Sequence, residues 1–173
     1  VLIELPTWLG DSVMTTPAIE NIVSYFKDIE ITLIGSFVSI ETLKNHPKVL
    51  KVIHLEKTYK SIYKIKTLDE FDFYLSFRSS LRSKLLKFFV KSRNKYQFNG
   101  KKYHNRHQVE KYSDFVNESL NIKLDAGNLI IHSIATNKNK SSNILGINPG
   151  ATYGSAKRWY PEKYAEIAIE LSK

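Results

Sequence analysis

Residues 1–11 read VLIELPTWLGD, an apolar run of strand length followed by a turn that contains proline, glycine and an acid. The stretch that follows carries four apolar residues at the spacing of one helix face, Ile19, Ile22, Val23 and Phe26. This order predicts a strand, a loop and a helix. Pro17 indicates either the first turn of a helix or a kink in one that begins near Asp11.

Apolar strands and helices alternate along most of the chain. Strand patterns recur at 30–35, 51–55 and 71–77, with helical patterns between them, and shorter ones surround Tyr96 and residues 128–132. Strands separated by helices predict an α/β domain with a Rossmann-like, doubly wound and mainly parallel sheet over residues 1–135. Sheets of this kind bind ligands at the carboxyl ends of their strands.

A domain boundary is predicted at the polar, aperiodic segment TNKNKSSN, residues 136–143, which has the composition of a linker. Residues 144–173 then predict one βα unit of a second domain, with a strand from Ile144 to Gly150 and a helix from Pro161. Roughly thirty residues cannot bury a core by themselves, so this unit requires a packing partner.

The composition predicts a folded, cytoplasmic protein. Hydrophobic residues make up 42% of the chain and charged residues 25%, and no segment has the pattern of a signal peptide or a spanning helix. The chain has no cysteine, which excludes disulfides, thiolate metal sites and a cysteine nucleophile. Any chemistry must therefore come from oxygen and nitrogen groups.

The net charge of +9 is concentrated in one region. Residues 57–111 contain 15 Lys and Arg against four acids, a balance of +11, so the remainder of the chain sums to about −2. Such a field favours an anionic partner, namely nucleic acid, a phosphorylated glycolipid or a membrane surface. Solvated helix faces are the alternative interpretation.

Gly10 and Asp11 follow the first strand, at the edge of the sheet where substrates bind. Gly10 allows the backbone to approach a ligand closely, and Asp11 has the chemistry of a general base toward a hydroxyl. An aspartate before a helix is also a favoured N-cap, so a structural role remains open for Asp11.

A second motif, NPGATYGSAKRW at residues 148–159, places small residues, a hydroxyl and two cations before the last helix. Free N–H groups and cations in such a turn favour a phosphate, and Thr152 with Lys157 suits a diphosphate. The spacing matches neither a Walker loop nor a dinucleotide fingerprint, so an ordinary polar loop remains open.

Together the two motifs resemble those of the heptosyltransferases that build the inner core of lipopolysaccharide, the type II enzymes most closely. The resemblance rests on PTWLGD at 6–11, TPA at 16–18, and NPGA and AKRW within 148–159. It implies the amino-terminal, acceptor-binding half of a GT-B fold, followed by the start of the domain that binds ADP-heptose. Tyr153 and Tyr160 depart from the family pattern, which commonly has a second Thr and a Pro there.

The resemblance implies an inverting transfer of heptose from ADP-heptose to heptosyl-Kdo-lipid A, with no metal and no cofactor. It assigns Asp11 as the catalytic base and Thr152 with Lys157 as contacts to the donor diphosphate. Because the family extends beyond residue 173, we expect this fragment alone to be inactive.

An anionic glycolipid acceptor gives the basic region a use. Gly10, Arg78, Arg82 and Arg106 are the acceptor-binding candidates, and we expect peripheral attachment to the inner face of the bacterial inner membrane. Two alternatives remain, another GT-B nucleotide-sugar transferase and a basic nucleic-acid-binding module. No RNA- or DNA-binding motif is present, so no nucleic-acid partner is expected. His104 and His107 have no acid at ligand spacing, which predicts no metal site.

Overall fold

In the computed structural model, residues 1–56, 60–133, 144–151 and 154–172 are described. They divide into two compact units, Val1–Ile134 and Ala135–Lys173. The predicted linker, 136–143, and Thr152 lie outside the described residues.

The first unit contains five strands and six α-helices in its described part. The strands are β1 Leu2–Glu4, β2 Ile31–Gly35, β3 Val49–His54, β4 Phe71–Ser76 and β5 Ser92–Gln97. The helices are α1 Leu9–Met14, α2 Thr16–Tyr25, α3 Phe37–Leu43, α4 Lys60–Lys66, α5 Leu81–Phe89 and α6 Gln108–Leu120. A 3₁₀ turn, Gly100–Lys102, precedes α6.

The five strands form one sheet in the order β3-β2-β1-β4-β5, and every neighbouring pair is parallel. In the register, Glu4 lies beside Ile34 of β2 and Ser76 of β4. β1 is therefore central. The chain crosses from β3, at one edge of the sheet, to β4, on the other side of β1. The predicted Rossmann-like parallel sheet is confirmed.

Helices cover both faces of the sheet, because side chains alternate along each strand. On one face Ile3 and Leu75 pack with α2, α3 and α6, and on the other Leu2 and Tyr74 pack with α4 and α5. The larger core lies beneath α2 and α6, where Phe77 meets Tyr112 and other aromatic rings edge to face. The doubly wound arrangement is thus observed directly.

Two predicted strands are wrong. Residues 128–132 form no strand. They lie beside α2, where the Ile130 N–H donates to Thr16 Oγ1 at 3.1 Å, and the preceding Asp125 carbonyl accepts from Asn21 Nδ2 of the same helix at 3.3 Å. Residues 144–150 form no strand either, because they are exposed and have no neighbouring strand among the described residues to complete their hydrogen bonds.

The described part of the second unit contains one α-helix. Helix α7, Pro161–Leu171, begins at the proline, with Tyr160 as its N-cap and the 3₁₀ turn Ser155–Lys157 before it. None of its residues is buried, and Ile167, Ile169 and Leu171 are exposed. The expected βα unit is therefore represented by its helix alone. Across both units, no helix in the described residues combines the length and apolar character needed to span a bilayer.

Candidate active site

Asp11 lies in the first turn of α1. The N-cap of this helix is Trp8, so the structure does not give Asp11 the capping position that the sequence left open. Among the residues that the structure describes, none donates a hydrogen bond to the Asp11 carboxylate, and its side chain is only partly buried. A carboxylate without a hydrogen-bond donor from the described residues is free to contact the hydroxyl of a substrate, as a general base must.

A cleft of about 260 Å³ opens in front of Asp11. It lies beyond the carboxyl ends of β1 and β4, where parallel sheets bind ligands. The polar residues that line it are Thr7, Asp11, Arg78, Ser79, Ser80, Gln108 and Tyr112. The cleft thus joins one carboxylate, one guanidinium and several neutral hydrogen-bonding groups, a combination suited to a hydroxylated substrate that carries an anionic group.

The pKa of Tyr112, from α6, depends on the charge of Asp11. Burial and then the negative charge of Asp11 raise the pKa of Tyr112 to about 12. The phenol therefore stays protonated, and its hydroxyl is a neutral donor beside the carboxylate.

Arg78 joins the cleft to the interior of the sheet. It follows β4, its side chain is 18% exposed, and its Nη1 lies 3.8 Å from Glu4 Oε1. Its backbone is fixed as well, because its N–H donates to Ser76 Oγ at 3.3 Å and its carbonyl accepts from Gln97 Nε2 at 3.1 Å. The guanidinium is therefore held by its loop and by a buried counter-charge.

Glu4 is a residue that the sequence analysis missed. It is fully buried near the end of β1, and its carboxylate accepts hydrogen bonds from Tyr74 (2.6 Å), Ser76 (2.6 Å) and Ser83 (2.8 Å). Burial and the charge of Glu4 raise the pKa of Tyr74 well above its ordinary value. A glutamate in an otherwise apolar strand was the available signal, because acids are almost never fully buried unless they are partnered.

Arg82 and Arg106 do not line the cleft. Arg82 donates from Nη2 to the backbone carbonyl of Glu56, on the connection that follows β3. Arg106 forms a two-point pair with Asp114, at 3.0 and 3.3 Å, and lies 3.6 Å from Glu110. Each guanidinium is thus already engaged, whereas Arg78 borders the space that a substrate would occupy.

Gly10 is exposed within α1, and a Cβ at this position would meet no protein atom within 4 Å. The fold itself therefore does not demand glycine here. The predicted close approach of a ligand stays a prediction.

His107 has a structural role at the start of α6. Its Nδ1 accepts from the Val109 N–H at 3.4 Å, and its own N–H donates to Glu110 Oε2 at 3.0 Å. This reciprocal capping satisfies N–H groups that the helix would otherwise leave free.

In the second unit, Lys157 is exposed at the end of the 3₁₀ turn. Gly154 starts this turn with a φ of 79°, a left-handed conformation that glycine adopts without strain. Arg158 closes the loop, because its Nε and Nη2 donate to the Ala151 carbonyl at 3.1 and 2.8 Å. Of the two predicted cations, Lys157 is therefore the one that points to no partner within the described residues.

Glu20, His46 and His132 form a group whose ligand atoms lie within 4.8 Å of one another. His46 Nδ1 accepts from the Lys48 N–H at 3.1 Å, so the ring proton resides on Nε2, which lies 3.1 Å from Glu20 Oε1. A metal on Nε2 would displace that proton to Nδ1, where it would face the Lys48 N–H. The arrangement favours a hydrogen-bonded network over a metal site.

A larger concavity, of about 750 Å³, lies at the opposite edge of the sheet. Its walls include four acids, Asp28, Glu30, Glu70 and Asp72. The amino ends of the strands meet there, and the acids would repel an anionic substrate. The cleft at Asp11 is therefore the candidate site despite its smaller volume.

Comparison with known proteins places these features in context. Two curated proteins named lipooligosaccharide heptosyltransferase 2, from Campylobacter jejuni serotypes O:2 and O:6, are 37% and 36% identical over all of this chain. The chain spans 56% and 57% of their lengths. No family model matches.

Solved structures share the fold at lower identity. E. coli ADP-heptose LPS heptosyltransferase II superposes with a TM-score of 0.73 at 18% identity, covering 98% of this chain and 60% of that one. A family 9 glycosyl transferase from Veillonella parvula gives 0.76 at 16% identity, covering 98% and 58%. E. coli heptosyltransferase WaaC with ADP gives 0.58 at 14% identity, covering 70% and 48%. Over its whole length the chain is thus similar in sequence to two proteins named lipooligosaccharide heptosyltransferase 2, and it spans a little over half of their length. The solved structures share its fold.

Proposed function

We propose that this chain is the acceptor-binding half of an inverting heptosyltransferase of lipooligosaccharide core biosynthesis. The observation that carries the proposal is the cleft at the carboxyl ends of β1 and β4, where Asp11 and Arg78 line the same space. The relatives named lipooligosaccharide heptosyltransferase 2 support heptose as the transferred sugar. We propose heptosyl-Kdo-lipid A as the acceptor.

In the proposed reaction, Asp11 takes the proton of an acceptor hydroxyl as the oxygen forms a bond to the anomeric carbon of ADP-heptose. The bond from that carbon to the β-phosphate oxygen breaks, and ADP leaves with the electron pair. Attack opposite the leaving group inverts the anomeric centre.

The leaving diphosphate requires positive charge and hydrogen-bond donors. We propose that Lys157 and Thr152 supply them, so that no metal ion or cofactor is needed. A relative in the same fold, WaaC, has been solved with ADP, which supports a nucleotide-sugar donor. We propose that the remaining donor contacts correspond to the part of the relatives that this chain does not cover. We therefore propose that this chain alone is inactive.

On the acceptor side, Arg78 is proposed to bind a phosphate or carboxylate of the lipid A core, because it borders the cleft and is held from behind by Glu4. Gly10, Arg82 and Arg106 remain proposed acceptor contacts. The two arginines should contribute less to acceptor binding than Arg78, because each is already hydrogen-bonded within the protein. Because the proposed acceptor is a membrane lipid, we propose that the enzyme acts peripherally at the inner face of the inner membrane.

Replacement of Asp11 by Asn in the full-length protein tests this proposal. Loss of the base should lower kcat by roughly 10²- to 10⁴-fold, while ADP-heptose binding measured by calorimetry stays unchanged. Asp69→Asn, at an exposed position outside the cleft, is the matched control. A near-normal kcat for Asp11→Asn would remove this residue from the mechanism, and binding of a different nucleotide sugar in preference to ADP-heptose would refute the proposed donor.

A further inference from the structure

Helix α5 is apolar on two opposite sides. Its inner side buries Leu86 against the sheet, and Ser83 reaches Glu4 from the same side. Its outer side presents the outer row, Leu81, Leu85 and Phe88, which are 78%, 56% and 78% exposed. These three residues are spaced i, i+4, i+7 and therefore share one face. A surface helix normally has one apolar face, so the outer row has the composition of a second contact surface.

Helix α4 packs beside α5 and extends this surface. Tyr63 of α4 is 72% exposed, and Lys66 Nζ lies 4.5 Å from the centroid of the Phe89 ring, within reach of a cation–π contact. The two helices thus present exposed apolar side chains with lysines beside them.

The charge of the two helices has a single sign. They carry six cations and no acid: Lys60, Lys64, Lys66, Arg82, Lys84 and Lys87. Within residues 1–56, 60–133, 144–151 and 154–172, none of the six forms an ion pair with a carboxylate. Unneutralised cations around exposed apolar side chains are complementary to an anionic, apolar partner.

We propose that the surface formed by α4 and α5 binds an anionic lipid bilayer, with the outer row inserted at the boundary between headgroups and acyl chains. The position of Lys84 favours a bilayer over a protein as the partner. It lies between Leu81 and Leu85 in the sequence and on the outer side of the helix, and lysine is depleted from the cores of protein interfaces. In a bilayer its methylene stem can lie along the apolar region while its ammonium reaches the phosphates.

This inference specifies the peripheral attachment proposed above and rests on that proposal for its biological setting only. Binding to vesicles requires neither donor nor turnover. If the protein does not bind vesicles, the proposal of heptose transfer therefore still stands. If the protein transfers no heptose, the proposed membrane surface still stands.

The test measures co-sedimentation of the protein with vesicles of phosphatidylethanolamine and phosphatidylglycerol, with phosphatidylcholine vesicles as the neutral comparison. We expect binding to the anionic vesicles only. Leu85→Ser and Phe88→Ser should each weaken binding roughly tenfold, since each removes a large apolar group from the inserted face. Lys84→Glu should weaken it by at least roughly fivefold.

Two matched controls lie elsewhere in the first unit. Leu50→Ser alters a leucine that is 72% exposed on β3, and Lys27→Glu reverses an exposed lysine after α2. Neither should change binding by as much as twofold. All these positions are exposed, and circular dichroism should show an unchanged fold in every variant.

Three outcomes would overturn the proposal. The first is the absence of binding to anionic vesicles. The second is binding that Leu85→Ser and Phe88→Ser leave unchanged, which would mean that charge alone acts. The third is concentration-dependent self-association in analytical ultracentrifugation that Phe88→Ser abolishes, which would assign the outer row to a second copy of the chain.

Discussion

Glu4 Oε1 lies 3.8 Å from Nη1 of Arg78, so a fully buried carboxylate on β1 stands directly behind the cation that borders the candidate active site. Three hydroxyls complete the surroundings of this carboxylate, and one of them comes from α5. The same group therefore links the central strands, a helix and the cleft at Asp11.

Removing the Glu4 carboxylate should destabilise the protein strongly. Glu4→Leu leaves the hydroxyls of Tyr74, Ser76 and Ser83 without their acceptor and Arg78 without its counter-charge, which should cost about 3 kcal/mol or more. Glu4→Gln keeps an acceptor oxygen and should cost less. Urea unfolding measures both, with Glu41→Gln as the control, because that exposed pair with Lys44 should contribute less than about 1 kcal/mol. An unchanged midpoint for Glu4→Leu would show that the buried network does not stabilise the fold.

Arg78→Gln should weaken acceptor binding in the full-length enzyme. Since the guanidinium is proposed to bind an anionic group that does not react, KM for the acceptor should rise roughly tenfold or more while kcat changes little. Arg82→Gln and Arg106→Gln, tested in parallel, should have smaller effects because both side chains are already bonded within the protein. Equal increases in KM for all three variants would indicate that the cations act as a diffuse field instead of a specific contact.

Lys157→Gln should weaken binding of ADP-heptose to the full-length enzyme. Loss of one cation from a diphosphate contact should raise Kd roughly tenfold, as measured by calorimetry. Lys163→Gln on α7 is the control, because that lysine is paired with Glu166. If Kd is unchanged in Lys157→Gln, the donor phosphates are bound by other groups.

The stability of the protein should depend on the protonation of His46. Burial lowers the pKa of His46 below its ordinary value of 6.5, and Glu20 offsets only part of the effect, while His132 and Lys48 lower it further. The unfolded chain therefore takes up the proton at a higher pH than the folded protein does. The stability from neutral His46 is fully present above pH 6.5, and it is lost as the pH falls from that value through the lower pKa of the folded state.

The midpoints of urea unfolding at about pH 7.5 and about pH 5.5 measure this loss of stability. We expect the drop to be smaller in His46→Gln than in the wild type, whatever the variant costs at the higher pH. His104→Gln, at an exposed position, should retain the wild-type drop. Identical drops in the wild type and His46→Gln would show that other groups cause the acid sensitivity.

Elements that depend on local pattern were predictable from the sequence. The alternation of apolar strands and helices is sufficient to predict the parallel sheet. Of the two interpretations of Pro17, the first turn of a helix is confirmed, since α1 ends at Met14 and α2 carries Pro17 in its first turn. The turn before α7 was recognised by its motif. These features depend on neighbouring residues, whose preferences the sequence shows directly.

Features that depend on distant residues were missed or wrong. The apolar residues 128–132 have strand composition, but the Ile130 N–H donates to the side chain of Thr16 in α2, and the sequence contains no sign of that contact. Glu4 lies 70 or more residues from each of the hydroxyls that bind it. Likewise the sequence placed Arg78, Arg82 and Arg106 together by charge, whereas their separate hydrogen-bond partners follow only from the packed fold.

The adjacency of β1 and β4 also has a consequence for how the protein folds. Glu4 and Tyr74, which bond across this central pair, are separated by 70 residues, and two βα units lie between them in the chain. Closing so long a loop is entropically costly, and non-local pairing of this kind slows folding. Asp11 and Arg78 therefore line one cleft only after the centre of the sheet has formed, so a nascent chain lacks this cleft until β4 has been synthesised and has docked.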